Sequence, residues 1–336
     1  MNTINAKTFI SEAGKRLEGK NARSLALLHT GVTVGVALVV TLLQYVLAMG
    51  IGNTSGLSGM GTQSVLQTLQ TVLDTANMVL APFWNLGFLY AAMLWARDQY
   101  ARKADLLTGF YRIGPCISLM VIRSLLVIAV TVICLNITST VFLLTPAGQE
   151  MEELMLSLGS MDAYYSYMTN LSHQELMAMV AKTTPFMILG CVLSAALLIP
   201  VLYRFRLAEY VILNQKGVRA MPAMIVSAHL MRRRCWQVFK LDLRLWWYYG
   251  LKVLCTLLCY LEILLPAMGI SLPIGGDAAY FATFILYLVA LLAVETAFRP
   301  LVETTYAGVY EAFMAMEPVQ KKEMPTKPQN MPWDEQ

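Results

Sequence analysis

The chain reads as an all-α polytopic membrane bundle, six transmembrane helices joined by amphipathic interfacial helices. Three observations predict this class. Of 336 residues 57% are hydrophobic and 14% charged, with a mean hydropathy of +0.57; a soluble domain is about one quarter charged and about half apolar. Six apolar stretches recur, each long enough to cross a ~30 Å hydrocarbon core at ~1.5 Å per residue. The connections between them alternate, one set rich in Lys and Arg and the other nearly free of both.

Residues 5–20 form a charged amphipathic segment with Phe9, Ile10, Ala13 and Leu17 at helical spacing, suited to the inner membrane surface. It is too polar for a signal-peptide core and the run behind it is too long, so no cleavage is expected. Span one covers 25–51 and carries Gly31-x-x-x-Gly35, a spacing for tight packing inside the bundle. The uncharged, glycine-rich segment 53–63 lies outside and lacks the Lys-Ser/Thr that would end a phosphate-binding loop. Span two covers 66–95, bent at Pro82. The inner connection 97–112 has an apolar stripe, Leu106, Leu107, Phe110 and Ile113, that would rest on the membrane.

Span three covers 117–144. The longest connection, 145–184, holds Glu150, Glu152, Glu153, Asp162 and Glu175 against a single Lys182, and is outside. Met151, Leu154, Met155 and Leu158 at helical spacing, then Tyr164, Tyr165 and Tyr167, predict one or two amphipathic helices over the outer mouth. Span four covers 185–213. A basic connection follows, with a helix over 218–234 whose Met221, Met224, Ile225, Ala228 and Met231 face the bilayer or the bundle. Span five covers 241–268, anchored at the inner interface by Trp236, Trp246 and Trp247. Span six covers 278–298. Pro300 breaks or kinks it, and a helix resumes over 302–316 with Tyr306, Tyr310 and Phe313 on one side. Residues 1–316 thus make one six-span membrane domain, and the proline-rich tail 317–336 is expected to be a disordered cytoplasmic extension.

Lys and Arg beside a span resist translocation. All but three of the 25 basic residues fall on segments assigned inside or at their margins; Lys182 is outside, and Arg123 and Lys252 are within spans. Both termini are therefore expected in the cytoplasm, with the protein in the cell (cytoplasmic) membrane. The densest basic stretch runs from 200 to 252. Its Arg204, Arg206, Arg219, Arg232, Arg233, Arg234, Lys240 and Arg244 either report topology alone or form a surface for anionic lipid or a protein partner.

Within that stretch Ser227, Leu230, Met231, Arg232, Phe239, Leu241 and Leu243 precede Trp246 and Trp247. The pattern resembles a signature of uncharacterised Firmicutes-type integral membrane proteins, the family called domain of unknown function nine-seven-five. That family reads S-x-x-L-M-basic-G, then F-x-L-x-L-S-F and a Trp. An aromatic and apolar run like Tyr203 to Leu213 precedes it, and a Pro followed by apolar-Tyr-Glu, like Pro300 with Val309, Tyr310 and Glu311, ends it. Here Arg233 stands where the family has Gly, and Arg244-Leu245 where it has Ser-Phe. The resemblance covers most of the chain. It implies a multi-pass membrane protein and no activity.

Charges inside spans are the best candidates for chemistry, because each costs ~2.5–3.5 kcal/mol on insertion scales and needs a partner or a wet cavity. These are Asp74, Arg123, Lys252, Glu262 and Glu295. By depth, Glu295 is a partner for either Lys252 or Arg123, while Asp74 and Glu262 lie in the outer half, where two carboxylates could bind a cation or share a proton. The alternative is that Lys252 and Arg123 snorkel to the inner interface. No catalytic residue, metal site or cofactor motif is found: His29, His173 and His229 lie on different segments, and no H-E-x-x-H or nucleophile elbow occurs. The six cysteines show no C-x-x-C, and Cys255 and Cys259 read as packing residues. Nucleic-acid binding is excluded because the basic residues hug the bilayer. The expected function is a non-enzymatic scaffold or accessory protein that uses its basic surface. The alternative is a transporter or channel for a small solute along the intramembrane charges; a lipid-acting enzyme, with only Asp74 and Glu262 to offer, ranks last. FLYAAMLWARDQ, ending span two, is similar to VLYRFRLAEYVI, ending span four, and raises a parallel repeat of two hairpins.

Overall fold

A computed structural model describes residues 5–52, 59–215, 217–261 and 277–316. No strand occurs among them. The chain divides into two compact units, residues 1–116 with 207–336, and residues 117–206. Four segments among the described residues are long and apolar enough to cross a membrane: Ala22–Leu43, Lys103–Leu143, Gln174–Asn214 and Phe281–Met316.

The second unit holds most of α4 (Ile113–Leu143), then α5 (Pro146–Leu158), α6 (Met161–Asn170) and α7 (His173–Arg204). Both long helices are apolar on most faces. Leu125 and Ile128 on α4 and Ile188 and Val192 on α7 are more than half exposed, the pattern of lipid-facing helices. The connection between them forms two helices. Thr145 caps α5 and Ser160 caps α6, each accepting from a backbone N–H three residues on, and Gly159 closes α5 in the left-handed conformation. α7 begins twelve residues ahead of the expected span, with a capping box between Ser172 and Glu175. Lys182 pairs with Glu150 at 2.7 Å.

The first unit is built on α12 (Asp277–Met316), which packs against α1 (Ala6–Leu17), α2 (Ala22–Gly52), α3 (Gly59–Ala96) and α11 (Trp246–Cys259). Pro300 does not break it: the helix is continuous for 40 residues. Beyond the proline it is core, with Val302, Tyr306, Ala307, Val309, Tyr310 and Phe313 all buried. Here α1 is also corrected. It packs on α12, burying Ala6 and Ala13, and does not simply float on the membrane surface. Its basic end closes α3, whose last carbonyls lack intrahelical donors. Arg16 donates to the Ala96 carbonyl, and Lys20 to that of Trp95 at 3.2 Å and to Asp98 at 3.2 Å.

Other expectations change at the ends of spans. Span four stops at Arg204; after a turn, α8 (Ala208–Asn214) is mostly core, with Ala208 and Tyr210 to Leu213 buried and α9 (Ala220–Leu230) and α3 packed against it. Span five is broken at the buried Leu245, which separates α10 (Cys235–Arg244) from α11. The turn at Phe205 interrupts VLYRFRLAEYVI, whereas FLYAAMLWARDQ stays helical to Ala96, so the proposed repeat is not matched locally. Leu106 does not lie on the membrane. It is buried on α3 in a 3-10 turn (Lys103–Leu107), and Phe110 meets the Phe83 ring; Leu107 and Ile113 are exposed. Gly31 and Gly35 have no neighbour within 4 Å of where a Cβ would stand, so they do not mediate a close helix contact. The segments 53–58, 262–276 and 317–336 lie outside the described residues, including most of the glycine-rich segment 53–63, the end of span five and the tail, while residues 59–63 already belong to α3.

Part of the motif in the basic stretch belongs to this core, while Arg232, Phe239, Leu243 and Trp246 are exposed. The buried Ser227 hydroxyl accepts the Leu207 N–H at 3.1 Å, and Leu230, Met231 and Leu241 are buried as well. Tyr310 stacks on Tyr210 with centroids 5.6 Å apart and accepts from Asn214 at 3.0 Å. Glu311 pairs with Arg97 at 2.5 Å, and Arg97 also reaches Asn214 at 2.6 Å. Arg233 keeps the tight turn without glycine, at φ 63°.

Candidate functional site

Three of the intramembrane charges can be placed by their contacts. Lys252 on α11 lies 2.8 Å from Glu295 on α12. Arg123 goes elsewhere, donating to the Phe205 carbonyl at 2.9 Å at the C-terminal end of α7, where a cation is favoured by the helix dipole. Asp74 belongs to α3, but its side chain lies outside the described set, as does all of Glu262. No group of ligands that could hold a metal occurs among the described residues.

Around Glu295 the first unit has a cleft of about 350 Å³, lined by residues of α2, α3, α11 and α12. Glu295 is 4% exposed. Its Oε1 takes the Lys252 ammonium and the Tyr248 hydroxyl, the latter at 3.0 Å; its Oε2 faces Arg299 Nη1 at 3.4 Å. Such partners are what a buried carboxylate requires, since an unpaired one costs several kcal/mol. Arg299 is fixed from every side. Asn85 accepts from it at 2.9 Å, the Phe88 ring lies 4.7 Å below it, and Glu303 approaches to 4.0 Å. His29 completes the group. Arg299 can only donate, so the 3.2 Å contact to His29 Nδ1 makes that nitrogen the acceptor and leaves Nε2–H for the Trp84 carbonyl at 3.2 Å. The ring is thereby neutral, stacked on Trp84 and fully buried.

Sequence reasoning placed Glu295 and Lys252 at one level but missed Arg299, His29, Tyr248 and Asn85. A signal for Arg299 existed. Glu295, Arg299 and Glu303 recur every four residues, a charged stripe on one face of an apolar helix. Arg299 instead read as a marginal inner residue because span six was ended at 298, ahead of a break or kink at Pro300.

The basic residues occupy a second region. Within the first unit Arg219, Arg232, Arg233, Lys240 and Arg244 are exposed, and Arg234 is half-buried with its guanidinium 4.8 Å over the Phe313 ring. α10 buries Val238 and Leu241, and its opposite face exposes Trp236 and Leu243; Trp246, just beyond it, is likewise exposed. The helix is fixed by Asp242, which accepts from Tyr306 of α12. In the second unit Arg204 is exposed and Arg206 sits 5.4 Å over Tyr203. His229 is exposed on α9. Compared with known proteins, the chain matches no family model, no curated protein and no solved structure.

Proposed function

We propose that this chain is a non-enzymatic multi-pass protein of the cytoplasmic membrane, with six spans and both termini cytoplasmic, that holds anionic lipid on its inner face. The six spans are the four long apolar segments, α3, and the segment that opens with α11. On its motif residues we also place the chain with the uncharacterised family it resembles. The observation that carries the function is the outer face of α10. An amphipathic helix docked by one side to the core presents Trp236 and Leu243, with Trp246, beside Lys240, Arg244, Arg232 and Arg233. Aromatic and apolar side chains seat such a helix at headgroup depth, and each cation near an anionic surface adds ~1 kcal/mol. The test is native mass spectrometry of protein extracted from phosphatidylglycerol and phosphatidylcholine nanodiscs. Arg232→Glu with Arg233→Glu and Lys240→Glu is expected to lose retained phosphatidylglycerol while still inserting; Arg234 is left intact because of its stacking on Phe313. Unchanged retention removes the lipid role, and loss of a bound cytoplasmic protein in its place assigns the face to that partner.

The cleft favours a second reading, a transporter or channel for a small polar solute. A polar cavity lined by Lys252, Glu295 and Arg299 between apolar helices is where such a path would run. Uptake into proteoliposomes tests it, and transport undiminished by Glu295→Gln would exclude the cleft as the route.

A further inference from the structure

The cleft binds its own lysine in a way that describes a ligand. The Glu295 carboxylate is 5% exposed in its side chain, while the Lys252 side chain on it is 43% exposed. The two cations beside Glu295 therefore differ in kind. Arg299 is held by Asn85, His29 and the Phe88 ring, with its side chain 14% exposed. Lys252 reaches in on a flexible four-carbon stem from the open side, with its ammonium 5.6 Å over the Tyr248 ring. Carboxylate below and aromatic face beside make a seat for an alkylammonium, and a lysine side chain is a tethered alkylammonium.

Releasing that tether would unbalance the cleft. The charged side chains lining it are Lys252, Arg299, Glu295 and Glu303, and their formal charges cancel. Without Lys252 the sum is one negative charge in a low-dielectric site, which calls for one cation. The Oε2 atom of Glu295 is buried and faces Arg299 Nη1 at 3.4 Å, so Oε1, which holds the Lys252 ammonium and the Tyr248 hydroxyl, is the atom an incoming ammonium would take. We propose that the cleft is a binding site for a small organic cation bearing a primary ammonium, which replaces the Lys252 ammonium on Glu295. Lys252 then serves as the built-in occupant that keeps the empty cleft neutral. An ammonium with N–H groups is required because both the carboxylate and the neighbouring hydroxyls accept hydrogen bonds. The volume is ample for an amine of a few carbons.

The inference rests on the reading of the cleft as a solute site, and binding is measured apart from transport. Full-length protein in phosphatidylcholine nanodiscs is melted with n-butylammonium chloride, sodium chloride or n-butanol, at matched ionic strength. Lys252→Met, which removes the competitor, is expected to be stabilised by n-butylammonium at concentrations at least tenfold lower than the wild type requires. Sodium and butanol should do nothing, and Lys252→Met combined with Glu295→Gln should lose the effect. No amine-specific stabilisation of Lys252→Met, an equal gain with sodium, or an equal gain in the double variant would each overturn the proposal. Where Lys252→Met cannot be recovered folded, equilibrium dialysis of the wild type with radiolabelled n-butylammonium decides. Saturable retention of about one per chain, lost in Glu295→Gln, supports the site, and none overturns it. Binding without passage across proteoliposomes leaves the site standing and removes only the transport reading.

Discussion

Arg233 holds a backbone conformation that a side chain resists. At φ 63° its Cβ crowds the following carbonyl, at a cost of ~1–2 kcal/mol for an L-residue. Glycine avoids that cost but loses more chain entropy on folding, ~0.5–1 kcal/mol. Arg233→Gly is therefore expected to stabilise the protein by about 0.5–1 kcal/mol, read as a higher apparent melting temperature in detergent. Arg233→Ala should give no such gain, since alanine keeps the Cβ. A rise with alanine equal to that with glycine would show that charge, and not backbone, was the source. The residue scale also shows where a sequence informs and where it fails. Glu295 and Lys252 stood out because a charge in an apolar run needs a partner. His29 did not: its value comes from Trp84 and Arg299, residues 55 and 270 positions away, and no local pattern carries that distance.

Elements show the same division. The long apolar helices were legible from hydrophobic length, and the helical character of the 145–184 connection, read as one or two helices, from its spacing. Their ends were not. An apolar run looks the same whether lipid or protein covers it, so α8 read as the tail of a span when it is core. Pro300 read as a break or kink before a resumed helix, yet a proline inside a membrane helix is tolerated when neighbours satisfy the freed carbonyl, and α12 runs through it as one helix. Packing between elements makes one demand that spacing could not reveal. A Cβ on Gly87 of α3 would lie 1.7 Å from the Leu106 carbonyl oxygen, so the 3-10 turn can seat on α3 only over a glycine. That contact involves backbone, which cannot turn aside as a side chain does. Gly87→Ala should therefore cost more than the ~1–3 kcal/mol of ordinary overpacking and expose Leu106. Thermal melting with protease sensitivity at residues 97–112 reads both. An unchanged melting temperature would mean that the turn does not lie on α3.

At the scale of the whole molecule, the functional readings depend on which side of the membrane each end of the helices meets. The proposed orientation rests on the charge distribution. Arg219, Arg232, Arg233, Lys240 and Arg244 are exposed on or beside short helices, and carrying several such charges across the hydrocarbon is costly, which is the ground for the proposed cytoplasmic placement. On the proposed topology the acidic connection with α5 and α6 is the exported one, and its Lys182 is paired with Glu150. Two exposed glycines in left-handed turns, Gly217 ahead of α9 and Gly159 between α5 and α6, accept an insertion with little disturbance to the helices they join. A green fluorescent protein inserted at Gly217 should fold and fluoresce, and one exported at Gly159 should stay dark; alkaline phosphatase at the same positions should show the reverse. Phosphatase activity at Gly217 would place α10 on the outer face. It would separate the basic surface from the anionic inner leaflet and remove the lipid role proposed for α10.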